Sequence, residues 1–323
     1  MRRRFAEGRA GALIWQAIAG ALLALLAWAL AERVGAELAA RGIRSGFAFL
    51  AEPAGFDIGE SLVPFHAGQP YWQAFLVGLG NTLRAALPGL LLATVVGLLV
   101  GLARLSPNAL LRGLGTAYVE LFRNVPLLLQ LLTWYFLLTE KLPAAAEALE
   151  LLPGLFLSKS GLALPFPGAD GLEWPQRGGF AIEGGAALTP EYLAVLLGIS
   201  AYAAAYLAEI VRAGIRSVPA GQVAAADALG LAPHQRLRWV VLPQALRLMV
   251  PPAASQYLNL VKNSSLAVVV GYPDLVSVAN TSLNQTGQAV ECIAVLIAVY
   301  LLLSLALALV MGRYNAALLR RGR

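Results

Sequence analysis

The sequence predicts an all-α fold class, a polytopic helical membrane protein with about six transmembrane helices. Hydrophobic residues make up 59% of its 323 residues and charged residues only 13%, whereas a soluble domain usually carries about 25% charged residues. The mean hydropathy is +0.69, and several apolar runs approach the roughly 20 residues that a helix needs to cross a bilayer. Arginines cluster between these runs, which is typical of the cytoplasmic loops of a multi-span protein.

The residues that the sequence lacks argue against several classes of function. The single cysteine, Cys292, cannot form an internal disulfide, and no Cys/His cluster suits a metal ion. Two histidines and scattered acids form no catalytic dyad or triad, and the phosphate-binding pattern GxxxxGK[ST] is missing. We therefore expect no metal, no bound cofactor and no ATP hydrolysis by this chain. The net charge of +6 is assigned to cytoplasmic loops rather than to a nucleic-acid partner.

Residues 1–71 are predicted to form a transmembrane helix followed by an outside loop. An apolar run at residues 10–31 follows a basic N-terminus. The run is longer than the core of a signal peptide and lacks a convincing cleavage site, which favours a retained span. The arginines before it place the N-terminus in the cytoplasm. Residues 32–71 are rich in proline and glycine and predict the loop.

Five further spans are predicted in the remainder of the chain, residues 72–323. They comprise residues 72–103, 114–138, 191–210, 246–270 and 292–311. Proline is expected to bend the second span at Pro88 and the fifth at Pro251 and Pro252. Residues 140–190 are predicted to form a long insertion on the outside. Residues 142–157 within it are apolar but too short for a confident span, so they either lie on the membrane surface or are re-entrant.

The longest charged stretch between apolar segments runs from residue 212 to residue 243. Helix formers from Ala220 to Leu229 predict a helix that Gly230 ends. A second short helix is predicted from residue 234 to residue 241, where Pro243 limits it. A helix-turn-helix DNA reader also places a glycine between two helices, but the flanking spans argue against it.

The pattern G-Q-x-x-A-A-x-A-L-G, followed nine residues later by V-x-L-P, resembles the EAA loop of ABC-transporter permease subunits. Two other segments, N-T-L-R at residues 81–84 and E-x-F-R-N-x-P-L-L-x-Q at residues 120–130, resemble the polar amino-acid branch of that family. The glutamate of the EAA motif falls on Ala224 here, with Asp227 the only acid nearby. The coupling-loop residues expected from the resemblance are Gly221, Gln222, Ala224, Ala225, Ala226, Asp227, Gly230, Leu242 and Pro243.

The resemblance implies a type I ABC importer permease fold (MetI-like) in the bacterial inner membrane. It implies that residues 212–243 form a cytoplasmic coupling loop that docks on an ATPase subunit, which binds the ATP and Mg²⁺. It also implies a second permease subunit, identical or homologous, and a periplasmic amino-acid-binding protein. Membrane lipid would surround the spans, and both termini would lie in the cytoplasm.

Ionisable residues within predicted spans are the first candidates for a solute pathway. Glu120 with Arg123, and Glu209 with Arg212, are spaced three residues apart near the cytoplasmic ends of their spans. Helical neighbours at this spacing can pair. These pairs are either local ion pairs at the membrane interface or elements that transmit movement of the coupling loop to a gate.

Two basic residues are predicted in the outer halves of spans, Arg84 and Lys262. They either extend towards the membrane surface or face a shared cavity and bind the carboxylate of an amino acid. We favour a cavity for the polar patch around Lys262. The candidate pathway residues are Arg84, Asn259, Lys262, Asn263, Ser264 and Ser265.

The function predicted from these observations is that of the permease subunit of an ATP-driven ABC importer for polar L-amino acids. A related alternative is the same machinery carrying opines or a single cationic amino acid. A different class is a membrane channel or receptor without an ATPase partner, which would need no coupling loop. A membrane enzyme is disfavoured because no catalytic constellation is present.

Overall fold

Helices make up most of the computed structural model, which describes residues 2–40, 45–168 and 171–320. In chain order the helices are α1 (Arg2–Ala40), α2 (Tyr71–Ala103), α3 (Ala109–Asn124), α4 (Leu127–Glu140), α5 (Pro190–Arg216), α6 (Ala220–Ala228), α7 (Pro233–Arg236), α8 (Leu242–Asn263), α9 (Leu275–Thr286) and α10 (Ala289–Arg320). A π-helical segment, Leu237–Val241, leads into α8, and a 3₁₀ segment, Ser264–Val270, follows it. The helical content of 71% confirms the predicted fold class for the chain as a whole.

Three helices are long and apolar enough to cross a membrane within the described residues: Tyr71–Ala103, Pro190–Arg216 and Ala289–Ala317. Two bent pairs of helices raise this number to five if each pair is one span. The predicted second, fourth and sixth spans fall in α2, α5 and α10. The predicted first span falls in α1, whose described side chains include the apolar run Ile14–Leu26.

The third predicted span, residues 114–138, is wrong as one continuous helix. α3 and α4 meet at an angle of 107°. The break lies at Pro126, which has no backbone N–H, and the residue before a proline is driven out of the helical region. Val125 accordingly has the extended conformation, with φ −96° and ψ 129°. By contrast, α2 continues through Pro88.

The segment after the predicted fifth span is a helix rather than a simple return loop. Gly271, at φ 81°, ends the 3₁₀ segment in the left-handed conformation. The Asp274 side chain then caps α9 by accepting a hydrogen bond from the backbone N–H of Ser277 at 2.8 Å. Buried Leu275 and Val278 pack this helix against α2, close to Gly78.

The insertion between α4 and α5 contains short strands that the sequence analysis did not predict. They are β1 (Leu149–Leu152), β2 (Leu155–Ser158), β3 (Gly161–Leu164), β4 (Phe166–Gly168), β5 (Gly171–Glu173), β6 (Gln176–Arg177), β7 (Ile182–Glu183) and β8 (Ala186–Leu188). An antiparallel sheet has the order β1-β2-β3-β8, and β4-β5 and β6-β7 form two small hairpins. Residues 142–157 are therefore not re-entrant, because most of them form the hairpin of β1 and β2.

Close packing of α2 against α5 forms the centre of the bundle. A Cβ atom added at Gly97 would lie 2.7 Å from Leu207 Cβ, and one at Gly101 would lie 2.8 Å from Val211 Cβ. Small residues at such a crossing allow two helix backbones to approach closely. The alanines that α5 presents here, including Ala204 and Ala208, are completely buried. This contact fixes the positions of the polar side chains on α5.

Candidate solute site and coupling loop

A polar cavity of about 300 Å³ lies between α5 and α8. Its walls are Tyr202 and Tyr206 from α5 and Gln256, Asn259 and Asn263 from α8. Residues three, four or seven positions apart share one face of a helix, so each helix turns its polar side chains towards the same space. The sequence analysis had identified Asn259 and Asn263. It missed Gln256, one turn earlier on the same face of α8, and the two tyrosines, which lie in an otherwise apolar stretch of α5.

The side chains around this cavity have unused hydrogen-bonding capacity. Tyr202 donates a hydrogen bond to the Tyr206 hydroxyl oxygen at 3.2 Å. None of the amides of Gln256, Asn259 and Asn263 has a hydrogen-bond partner among the described residues. Gln256 is only 8% exposed, and leaving such a buried polar group unpaired costs free energy. Asn263 is half-buried and Asn259 is exposed, so their amides are accessible. These amides are therefore available to a polar ligand.

A cation lies next to the cavity. The guanidinium carbon of Arg123, in the last turn of α3, is 4.9 Å from the centroid of the Tyr206 ring. This geometry is a cation–π contact. Arg123 does not pair with Glu120 as the spacing had suggested, because the Glu120 carboxylate accepts instead from Asn124 Nδ2 at 3.2 Å.

Three other predicted pathway residues, Lys262, Ser264 and Ser265, do not line this cavity. Lys262 is exposed and is not part of the cavity wall, because it is turned by about 100° from Asn263 around the helix. Ser264 is buried and donates to the backbone oxygen of Val261 at 2.8 Å. Ser265 is half-buried.

Arg84 belongs to a separate polar cluster near the insertion. Its Nη1 lies 2.9 Å from Glu60 Oε1, and its guanidinium carbon is 4.7 Å from the centroid of the Tyr192 ring. Glu60 also accepts a hydrogen bond from the Thr189 hydroxyl, at the start of α5. Tyr192 and Tyr202 lie ten residues apart on α5, which is about 15 Å along the helix. Arg84 thus binds a carboxylate of its own chain, away from the cavity.

Glu60 ties the segment before α2 to the bundle. Its backbone oxygen accepts from Asn81 Nδ2 at 2.7 Å. Burial raises the pKa of the Glu60 carboxyl above its ordinary value, against the opposing effects of the Thr189 hydroxyl and the Arg84 guanidinium. The sequence analysis did not find Glu60 as a partner of Arg84, because an acid in a turn-rich segment has no regular spacing that would reveal it.

A second charged cluster joins α2 to α5 at the opposite end of α5. Glu209 pairs with Arg212, whose Nε donates to Glu209 Oε2 at 3.1 Å, and also with Arg104 at the end of α2. The spacing on α5 had suggested the contact with Arg212. Arg104 was missed, because it lies 105 positions away in the sequence. The cluster holds the end of α2 against the last turns of α5, where the predicted coupling loop begins.

The predicted coupling loop, residues 212–243, contains α6 and a glycine turn. Gly230 has φ 74°, a left-handed conformation that glycine adopts without strain. Its N–H donates to Asp227 O at 3.0 Å, and the N–H of Leu231 donates to Ala226 O at 3.2 Å. These are the two hydrogen bonds of a Schellman motif, which ends a helix at a glycine. The predicted helix and its end at Gly230 are thus confirmed.

The exposed face of α6 consists mainly of small side chains. Ala226 is buried at 3% exposure, whereas Leu229 is 80% exposed. Exposed neighbours on the same helix are Gly221, Gln222, Ala224, Ala225 and Ala228, while Leu242 and Pro243 are exposed where α8 begins. Asp227, the one acid of the loop, binds Arg236 Nη1 through both carboxylate oxygens, at 2.6 and 2.8 Å. The Asp227 carboxylate is therefore already paired with a cation of the same loop.

The described helices thus form an apolar bundle with a polar cavity and an exposed helical loop. The model of the family described as "Binding-protein-dependent transport system inner membrane component" matches residues 93–321. The chain belongs to this family. It is a multi-pass membrane permease, a non-catalytic subunit.

Relatives match nearly the whole chain. The amino-acid ABC transporter permease protein YhdX of Escherichia coli K12 is 40% identical, over 96% of this chain and 95% of YhdX. The general L-amino acid transport system permease protein AapQ of Rhizobium johnstonii is 38% identical, over 94% and 91%. The glutamate/glutamine/aspartate/asparagine transport system permease protein BztB of Rhodobacter capsulatus is 32% identical, over 92% and 90%.

Solved structures share the fold. One chain, from the crystal structure of an amino acid ABC transporter with histidines, superposes with a TM-score of 0.56 at 23% identity, covering 76% of this chain and 95% of that one. A chain of the MetNI methionine ABC transporter in an inward-facing conformation gives a TM-score of 0.51 at 20% identity, covering 76% and 96%. These similarities show the type I importer permease fold.

Proposed function

We propose that this chain is the transmembrane permease subunit of an ATP-driven ABC importer for polar L-amino acids. The observation that carries the proposal is the cavity between α5 and α8, where free amides and phenols can bind the charged backbone groups and polar side chain of such a solute. The names of the relatives support amino acids as the solute class.

The proposed partners are an ABC ATPase subunit, a second permease subunit and a periplasmic amino-acid-binding protein. The exposed alanines of α6, with Leu229 beside them, suit docking in a groove of the ATPase, because small side chains let another backbone approach closely. ATP and Mg²⁺ belong to that ATPase, and this chain binds no cofactor. Closure of the ATPase pair on ATP moves the coupling loops and opens the pathway outwards.

The proposed topology has both termini and the coupling loop in the cytoplasm, and residues 140–190 outside the bacterial inner membrane. Its support is the arginine content of the N-terminus, the coupling loop and the C-terminus. The test is labelling of single cysteines in a Cys292→Ala background. Phe180→Cys, at a position 98% exposed, should react with an impermeant maleimide from outside, and Leu229→Cys only from inside. The reverse pattern would overturn this topology.

The proposed solute site is tested by uptake. The full transporter, with its ATPase, second permease and binding protein, is reconstituted in proteoliposomes and supplied with radiolabelled L-glutamine. Asn259→Leu removes an amide of the cavity wall and should lower uptake about tenfold or more, the cost of an unmade polar contact. The matched control is Asn280→Leu, since Asn280 is exposed on α9 and outside the cavity wall. Equal uptake by both variants would contradict the assignment.

A channel or receptor that works without an ATPase is distinguished by copurification. The proposal expects the chain to retain its ATPase through detergent extraction and affinity purification. It also expects ATP to drive accumulation of the solute against a gradient. Uptake that runs only down the gradient, from a chain that holds no ATPase, would favour the channel.

A further inference from the structure

The charges around the cavity bear on which amino acids it accepts. The described residues of its wall carry phenols and carboxamides, and none of them carries a carboxylate. The charged residues whose side chains are described on the neighbouring helices α2, α3, α5, α8 and α10 are Arg84, Arg112, Glu120, Arg123, Glu191, Glu209, Arg212, Arg216, Arg247, Lys262, Glu291 and Arg313, and Arg104 directly follows α2. Cations are therefore in the majority on the helices that surround this space.

The acids among these residues already have partners. Glu191 accepts a hydrogen bond from the Tyr135 hydroxyl at 3.4 Å, and Glu291 accepts one from the backbone N–H of Gly46 at 2.6 Å. Two arginines, Arg104 and Arg212, bind the single carboxylate of Glu209, so this cluster keeps a net charge of +1. Glu120 is exposed on α3 and accepts a hydrogen bond from Asn124. The charge that does reach the wall is positive, because the Arg123 guanidinium stacks on the Tyr206 ring.

The wall itself offers both donors and acceptors. The buried amide of Gln256 has no partner among the described residues, and the same is true of Asn259 and Asn263. A carboxamide can donate to a carboxylate or amide oxygen of a ligand and accept from an N–H. A cationic side chain in the same space would lie near Arg123 without an anion to neutralise it, and like charges without a partner are disfavoured.

We propose that this cavity selects amino acids with acidic or neutral polar side chains and rejects those with cationic side chains. Asn259 and Asn263 determine this selectivity by being amides rather than acids, and Arg123 adds a preference for a negative charge. The inference rests on the proposed function, and it excludes the alternative in which the chain serves a single cationic amino acid.

The experiment measures direct binding, so that the binding protein does not filter the solutes first. The purified complex of permeases and ATPase in lipid nanodiscs is titrated with labelled L-glutamine, L-glutamate and L-arginine. We expect L-arginine to bind about tenfold or more weakly than the other two, the scale of an uncompensated charge near a binding site.

Two variants test the residues. Asn259→Asp places an acid in the wall and should tighten L-arginine binding about tenfold while weakening L-glutamate binding. Asn263→Asp, one turn further along α8, should act in the same direction and replaces the first variant if that one fails to assemble. The control Asn280→Asp makes the same chemical change on the exposed face of α9 and should leave all three affinities unchanged.

The outcomes separate this inference from the proposed function. If wild type binds L-arginine as tightly as L-glutamine, or if neither acidic variant changes the preference, the charge selectivity is overturned while the amino-acid permease stands. If an intact complex binds none of the three amino acids, the cavity is not an amino-acid site. In that case both proposals fail.

Discussion

The two charged clusters at opposite ends of α5 differ in the ratio of cations to carboxylates. In the Arg84 cluster one arginine meets one carboxylate, with side-chain exposures of only 18% and 14%, and the Thr189 hydroxyl and the Tyr192 ring complete the contacts. In the Glu209 cluster two arginines share one carboxylate, and the buried Nε of Arg104 has no hydrogen-bond partner in the part of the chain that the structure describes. The first cluster is complete, whereas the second has spare hydrogen-bonding capacity and a surplus charge next to the coupling loop.

This difference indicates different roles. A balanced and buried cluster fixes one arrangement of the elements around it, because every rearrangement would expose an unpaired charge. A carboxylate shared by two cations can move between them at lower cost. We therefore expect the Arg84 cluster to contribute stability and the Glu209 cluster to contribute to coupling.

The largest effect is expected from Glu209→Gln. The change leaves Arg104 and Arg212 adjacent without an anion, which should lower the free energy of unfolding by roughly 2 kcal/mol. This is less than the cost of removing one partner of a fully buried pair, because water screens part of the charge. The thermal midpoint of the purified complex should fall, and the ATP hydrolysed per solute imported should rise. The control is Glu120→Gln, which removes an exposed carboxylate. An equal effect of both changes would show that the shared contact has no special role.

Arg84→Gln should have the next largest effect. It leaves the Glu60 carboxylate poorly exposed and without its cation, at a cost of about 1–2 kcal/mol. The thermal midpoint should fall while the ATP hydrolysed per solute stays at the wild-type value. Arg112→Gln serves as the control, because Arg112 is exposed and bonds only to backbone oxygens. A changed coupling ratio in Arg84→Gln would remove the distinction between the two clusters.

Gly230→Ala should have a smaller effect, which we expect on ATPase binding at the predicted coupling loop. No atom lies within 4 Å of an added Cβ, so the cost is that of the left-handed backbone, about 1 kcal/mol. The affinity of the chain for its ATPase should weaken while membrane insertion is unchanged. In Gly113→Ala the added Cβ also meets open space, but the residue lies within α3 at negative φ and outside the proposed docking surface. That control should bind the ATPase normally.

The smallest expected effect is a pH dependence at the Arg84 cluster. Because burial raises the pKa of Glu60 above 4.5, the folded protein holds this proton more tightly than the unfolded chain does. The contribution of Glu60 to stability therefore declines as pH rises through its raised pKa. The thermal midpoint of wild type should rise slightly on acidification towards pH 4.5, relative to Glu60→Gln measured in parallel. Identical pH profiles would contradict the assigned direction.

The sequence predicted features that depend on local chemistry. The end of α6 at Gly230 follows from a glycine after a run of helix formers, and the long apolar helices follow from run length. Equal spacing was an unreliable guide to contacts, since Glu209 pairs with Arg212 whereas Glu120 does not pair with Arg123. Spacing permits a contact, but the neighbouring helices decide whether it forms.

Other features depend on parts of the chain that lie far apart. The partners Glu60 and Arg104 were missed because each contact joins separate elements. The strands of the insertion are two to four residues long, too short for an alternating pattern to stand out from a glycine- and proline-rich segment. The cavity was found only in part, because tyrosine within an apolar helix usually packs in a core.

The length and continuity of α5 have a mechanical consequence. Its 27 residues, Pro190–Arg216, form one unbroken helix. The helix begins beside Thr189, which touches Glu60, and ends within the predicted coupling loop. Such a rod is about 40 Å long. Cβ atoms added at Gly89, Gly97 and Gly101 of α2 would lie 3.0, 2.7 and 2.8 Å from Ile199, Leu207 and Val211, so α5 rests on α2 at several levels along its length. A displacement that reaches α5 from α6 would therefore be carried by α2 and α5 together, as one rigid pair.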